Sequence, residues 1–159
     1  VPGQSSGGRV KVGDLCSRQP VCVSGADTLL QAAGLMRDRQ VGAIVVTAAS
    51  AGDPIPVGIL TDRDIVRAQL ERPVDLGQVR CADVMSREPL ELRENASVDE
   101  AIRRLRSRGV RRAVVVSSSG AMVGVVSFDD LLAHISVKLA ALARLTRRRP
   151  EAPRGRPQG

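Results

Sequence analysis

Asp14-Leu-Cys-Ser-Arg-Gln-Pro20 returns as Asp83-Val-Met-Ser-Arg-Glu-Pro89, 69 positions further along the chain. The rest of the sequence falls into register around this pair. At the same offset, Thr28-Leu-Leu-Gln31 lines up with Ser97-Val-Asp-Glu100. Both have the [Ser/Thr]-x-x-[Glu/Gln] form, whose two side chains satisfy free backbone N–H groups at a helix start. Apolar residues follow at helical spacing: Leu29, Ala32, Ala33 and Met36 in the first copy, Val98, Ala101, Ile102 and Leu105 in the second. Each helix has one face for a core.

Next in each copy comes a β-branched run, Ala43-Ile-Val-Val46 and Ala113-Val-Val-Val116, of the continuous kind expected of strands covered on both faces. A loop and a second strand follow, Val57-Gly-Ile-Leu60 and Val123-Gly-Val-Val126, each running into another apolar-periodic helix. Here the offset falls to 66, because the first copy carries a longer loop containing Asp53-Pro-Ile-Pro56; surface loops tolerate such insertions. With short strands near Val21–Val23 and Leu90–Leu92, each copy reads β-α-β-β-α. A unit of about 60 residues is marginal alone. The predicted fold class is therefore α/β, two repeated β-α-β-β-α units packed about a pseudo-twofold axis with matching clefts between them. The expected divisions are a disordered start at 1–11, repeat 1 at 12–72, repeat 2 at 73–136, a C-terminal helix extension at 137–149 and a disordered basic tail at 150–159.

Composition narrows the chemistry. Phe128 is the only aromatic residue of the 159, so stacking platforms for single-stranded nucleic acid are excluded. One histidine, His134, and three scattered cysteines, Cys16, Cys22 and Cys81, give no zinc-type spacing and no Cys-His nucleophile pair. No metal site and no enzyme active site is expected, and His134 reads as structural within the last helix. Low cysteine content without a signal peptide fits a reducing cytoplasm, with the cysteines as small buried hydrophobes. The absence of an initiator Met points to a processed or partial chain. Apolar stretches such as Val41 to Ala51 are too short and too interrupted to span a membrane. The net charge of +7 is concentrated at the end, where six arginines from Arg144 onward face Glu151 alone. Such a tail cannot bury enough surface to offset its ordering entropy; it is either a solvated terminus or a contact for nucleic acid or anionic membrane. Ile135, Leu139, Leu142 and Leu145 form an apolar stripe expected to pack against the pair or a second subunit.

The segments that carry chemistry are Gly58-Ile-Leu-Thr61-Asp-Arg-Asp64 and Gly124-Val-Val-Ser127-Phe-Asp-Asp130, both at a strand-to-helix junction. [Ser/Thr]-x-x-Asp there is an N-cap box. The same geometry offers more. A helix N-terminus with a hydroxyl receives phosphate, and a carboxylate one turn in can accept from both hydroxyls of a ribose. The glycine allows close approach of backbone or ligand, and the Val/Ile strands offer apolar walls for a base.

With these motifs duplicated and in order from about Val12 to about Ile135, the chain resembles a tandem pair of CBS domains, the regulatory modules named after cystathionine beta-synthase. The resemblance implies a parallel-stranded α/β module, dimerisation of pairs into a flat disk, and an adenine nucleotide or other adenosyl ligand in the clefts. Residue by residue, it makes Asp64 and Asp130 ribose-binding aspartates, and Thr61 and Ser127 hydroxyls that contact phosphate or ribose. Arg111 and Arg112 stand where relatives place a basic residue toward ligand phosphates, or else belong to a solvated charge run with Arg103, Arg104, Arg106 and Arg108. The first repeat has Gly42 and Ala43 there, with Arg63 as an alternative phosphate contact. Asp129 beside Ser127 repels phosphate. The leading expectation is a ligand-sensing module that binds AMP, ADP, ATP or S-adenosylmethionine as a regulatory ligand, with no cofactor, and signals to an unidentified protein. A homodimer is expected through Ile65, Val66 and Leu70 with Leu131, Leu132 and Ile135. The alternative is a structural module, or a nucleic-acid or protein-interaction module, with empty clefts; nucleic acid is the weaker expectation among partners.

Overall fold

A computed structural model describes residues 9–48, 54–71, 73 and 75–146 of the chain. The first repeat contains α1 (Val12–Leu15), β1 (Cys22–Ser24), α2 (Leu29–Arg39), β2 (Ala43–Ala48), β3 (Ile55–Thr61) and α3 (Asp62–Glu71). The second contains α4 (Cys81–Val84), β4 (Ser86–Arg87), β5 (Glu91–Arg93), α5 (Val98–Arg108), β6 (Arg112–Val116), β7 (Met122–Ser127) and α6 (Phe128–Thr146). The α/β class and the repeated strand–helix units are those the sequence predicts. Thr28 caps α2 through a reciprocal pair, Gln31 N–H to Thr28 Oγ1 at 3.3 Å and Thr28 N–H to Gln31 Oε1 at 2.8 Å. Ser97 caps α5 by accepting from the Glu100 N–H at 3.1 Å. Both helices stop at a left-handed residue, Gln40 and Gly109.

Each repeat has a mixed sheet, a correction to the parallel one implied by the resemblance. β1 runs parallel to β2, and β2 antiparallel to β3; β5 runs parallel to β6, and β6 antiparallel to β7. The connections dictate this. A crossover through α2 or α5 permits parallel pairing, whereas the loop between the next two strands is too short for anything but an antiparallel return.

β2 and β6 are buried on both faces. Ile44 and Val46 join Leu29, Ala32, Met36 and Leu60 in the first core, and Ala113 and Val115 join Ala101, Leu105 and Val126 in the second. Val45, Val114 and Val116 point the other way and pack the two sheets together. Ile102, expected on the core face of α5, is instead 37% exposed.

The two openings are exchanged between repeats, which the linear boundaries 12–72 and 73–136 do not convey. Val12 is fully buried in the second core, its N–H bonded to the Ala96 carbonyl at 2.9 Å, while Cys81 and Met85 lie in the first core. Ser17 exchanges two backbone hydrogen bonds with Val125 of β7, and β4 pairs with β3 at Gly58 and Ile59. Neither repeat has a complete core without the other's opening segment.

Other expectations are adjusted locally. Lys11, assigned to the disordered start, forms a β-bridge with Ser97, and its N–H donates to Asp14 at 2.9 Å. Ile55 and Pro56 belong to β3 rather than to a loop. α6 runs unbroken through the boundary set at 136. Ile65 and Leu131, expected at a dimer face, are core residues; Val66, Leu70, Leu132 and Ile135 are exposed. Leu139, Leu142 and Leu145, 60% exposed or more, do not pack against the pair, whereas Ile135, 40% exposed, borders a groove with Ile102 and Leu105 of α5. The basic tail at 150–159 lies outside the described residues. No described helix is long and apolar enough to cross a membrane.

Candidate functional site

Both [Ser/Thr]-x-x-Asp segments form reciprocal caps. In the second repeat, Asp130 Oδ2 accepts from the Ser127 N–H at 2.7 Å and from its hydroxyl at 2.6 Å, while the Asp130 N–H donates to Ser127 Oγ at 3.2 Å. In the first, Asp64 Oδ2 accepts from the Thr61 N–H at 2.9 Å and from its hydroxyl at 2.7 Å, and the Asp64 N–H donates to Thr61 Oγ1 at 3.2 Å. The capping role is thus filled by one carboxylate oxygen in each repeat. What differs is the other oxygen.

Asp130 Oδ1 has no hydrogen-bond partner among the described residues, and Asp130 lines an open cleft between the repeats with a volume of about 280 Å³. This lies just below the usual span of small-molecule pockets, about 300 to 1,000 Å³. Ser127 and Arg112 join Asp130 at the polar end. The apolar walls come from the sheet junction, with Val45 and Ile59 of the first repeat facing Val125 of the second. Gln19, Pro20, Val21, Gly42 and Ala43 also line it. The Arg112 side chain has no ion-pair partner among the described residues, so its charge is available to the cleft.

Arg111 is not part of this cleft's lining. Its guanidinium lies 4.7 Å above the centre of the Phe128 ring and 3.5 Å from Asp129 Oδ1, both on the exposed surface. Asp129, expected to repel phosphate beside Ser127, is therefore partly neutralised by its own arginine.

Asp64 is 6% exposed, and its Oδ1 accepts from the Arg67 guanidinium one turn along α3. It borders a separate cavity of about 550 Å³ with Arg67, Glu71, Asp83 and Val84. Thr61 and Arg63 line neither cavity, and the Arg63 N–H donates to Asp62 Oδ1 at 2.7 Å. Of the seven residues marked from the sequence, the open cleft gathers Arg112, Ser127 and Asp130. Sequence reasoning missed Gln19, Pro20 and Val21 as wall residues. Their signal in the sequence is the repeated Asp14–Pro20 opening.

Two of the thiols are half-buried, Cys16 and Cys22, and Cys81 is fully buried. Burial raises all three, and Cys81, beside the negative charge of Asp27, is pushed up to about 11. None is a ready nucleophile at neutral pH. No group of three or more metal-ligating side chains occurs among the described residues.

The family model described as CBS domain matches residues 12–71 and 81–137. The CBS domain-containing protein YhcV of Bacillus subtilis is 32% identical over 85% of this chain and 92% of its own length. An uncharacterised protein of Methanopyrus kandleri, MK0525, is 29% identical over 77% of this chain, which spans only 61% of that longer protein. Among solved structures, the CBS domain protein PAE2072 from Pyrobaculum aerophilum, complexed with AMP, superimposes with a TM-score of 0.72 at 29% identity, covering 83% of this chain and 99% of its own.

Proposed function

The chain belongs to the CBS domain family, and from that premise we propose that it is a regulatory module that binds an adenosine nucleotide, or a related adenosyl ligand, in the Asp130 cleft. The observation that carries this reading is Asp130 Oδ1, without a hydrogen-bond partner among the described residues, in a cleft that also contains Ser127 and Arg112. A carboxylate with a free oxygen accepts hydrogen bonds from a ribose diol. The Ser127 hydroxyl and the start of α6 suit a phosphate or ribose oxygen, Arg112 suits a phosphate, and Val45, Ile59 and Val125 suit a base. The AMP held by the related Pyrobaculum protein supports the same ligand class here. AMP, ADP, ATP and S-adenosylmethionine all present the adenosyl group that Asp130 would read.

The role is sensing rather than catalysis. Cleft walls come from both repeats, so a ligand that binds one relative arrangement better shifts the pair toward it, and a regulated partner reads that shift. No resident cofactor is needed for this. A homodimer fits the uncovered apolar side chains of α6, and three free thiols fit a reducing cytoplasm.

Calorimetric titration with AMP tests the reading. The Asp130→Asn substitution keeps the shape but removes the charge that strengthens acceptance from ribose hydroxyls, so affinity should fall about ten- to a hundredfold. An affinity equal to that of the unsubstituted protein, or no binding of AMP, ADP, ATP or S-adenosylmethionine by the folded unsubstituted protein, would overturn it.

A further inference from the structure

The two aspartates hold equivalent places in the repeat, and one of the differences around them falls on the carboxylate itself. Arg67 stands three residues after Asp64, and at the offset of 66 its counterpart in α6 is Ala133. On α3, the guanidinium lies on Asp64 Oδ1 while Thr61 takes Oδ2, so both carboxylate oxygens are engaged; the Asp64 side chain is 8% exposed and that of Arg67 61%. On α6, the alanine methyl offers no such contact, and Asp130 Oδ1 has no partner among the described residues.

We propose that Arg67 acts as a built-in occupant of the first repeat's ribose position, so that each chain takes a single adenosine nucleotide, in the Asp130 cleft. This rests on the adenosyl reading given above. For a ribose to reach Asp64, it must displace a charge-assisted pair that is already local and intramolecular, and replace it with neutral hydroxyl donors. While the arginine stays on Oδ1 and Thr61 on Oδ2, the diol finds no free acceptor oxygen on Asp64. The pseudo-symmetric pair thereby becomes a one-site sensor.

The test is calorimetric titration of the full chain and its variants with AMP. The unsubstituted protein should bind one AMP per chain, and Asp64→Asn should change that affinity less than twofold. Arg67→Ala should add a second, weaker binding event, bringing the stoichiometry to two, and the double variant Arg67→Ala/Asp64→Asn should lose that event again. Arg67→Gln, which keeps length without charge, should behave as Arg67→Ala and guards against an effect of truncation alone. Two AMP per chain in the unsubstituted protein, an unchanged stoichiometry in both Arg67 variants, or a loss of the first event on removing Arg67 would overturn the inference. Absence of binding of AMP, ADP, ATP and S-adenosylmethionine alike in the folded unsubstituted protein and in both Arg67 variants would instead defeat the adenosyl reading, and this inference with it.

Discussion

Cys81 and Val12 occupy the same place in the two exchanged openings, the first residue of a one-turn helix inserted into the opposite core, and both are fully buried. The thiol is titratable where the valine is not. Burial and the charge of Asp27 push Cys81 up to about 11 from its ordinary 9.0, so the folded state holds the proton more tightly than the unfolded one. The stability this represents is complete below pH 9 and is lost as pH rises from 9 through 11, by on the order of 2–3 kcal/mol at the upper end. Cys81→Val should fold normally at pH 8, because position 12 already accepts valine in the same setting. It should also flatten the alkaline fall, which urea melts of both proteins at pH 8 and pH 11 would reveal as a gap that closes or persists. The functional side chains separate on similarly local grounds. Ser127 and Asp130 were legible because a cap box is written in four consecutive residues. The Arg67–Asp64 pair was not, since a charged residue three positions away is equally consistent with a side chain directed to solvent.

At the scale of elements, the glycines of the two motifs mark where the exchanged segments cross the sheets. A Cβ added to Gly58 would lie 2.8 Å from the Ser86 carbonyl oxygen and closer still to Met85, and one on Gly124 would overlap the Ser17 backbone carbonyl. Backbone cannot rotate away as a side chain can. Gly124→Ala should therefore destabilise the protein by about 1–3 kcal/mol or more, visible as a lowered thermal midpoint. Because Ser17 also borders the cleft, AMP affinity should fall with it; an unchanged midpoint and affinity would show that the strand yields freely. The sequence reading allowed close approach of either backbone or ligand at these glycines, and the structure assigns it to backbone. Helices, caps and strand runs were legible because they are short-range patterns. The exchange of openings was hidden because a short segment such as Val12–Leu15 carries no mark of which core receives it, and strand direction depends on the length of the connection rather than on the residues of the strands themselves.

At the scale of the whole molecule, the unfinished surface is α6. Leu132, Ile135, Leu139 and Leu142 are spaced three, four and three residues apart, the alternation of a heptad seam, and they are 49%, 40%, 66% and 60% exposed. Upstream, the seam continues into an apolar groove formed with Ile102, Val110 and Phe128 between α5 and α6. Contiguous apolar surface of this kind is uncommon on a monomer. A seam at this spacing complements a second copy of itself, because knobs at the same positions on two helices fill each other's holes about a twofold axis. Light scattering at micromolar concentration should thus give about twice the chain mass of 16.9 kDa. The double substitution Leu139→Glu/Leu142→Glu places charges in the seam at positions exposed within one chain, so it should yield a monomer whose thermal unfolding stays cooperative. The substituted residues lie outside the cleft lining, so one AMP per chain should still bind. A monomeric mass for the unsubstituted protein, or a dimer that survives both glutamates, would show that this seam does not hold two copies together.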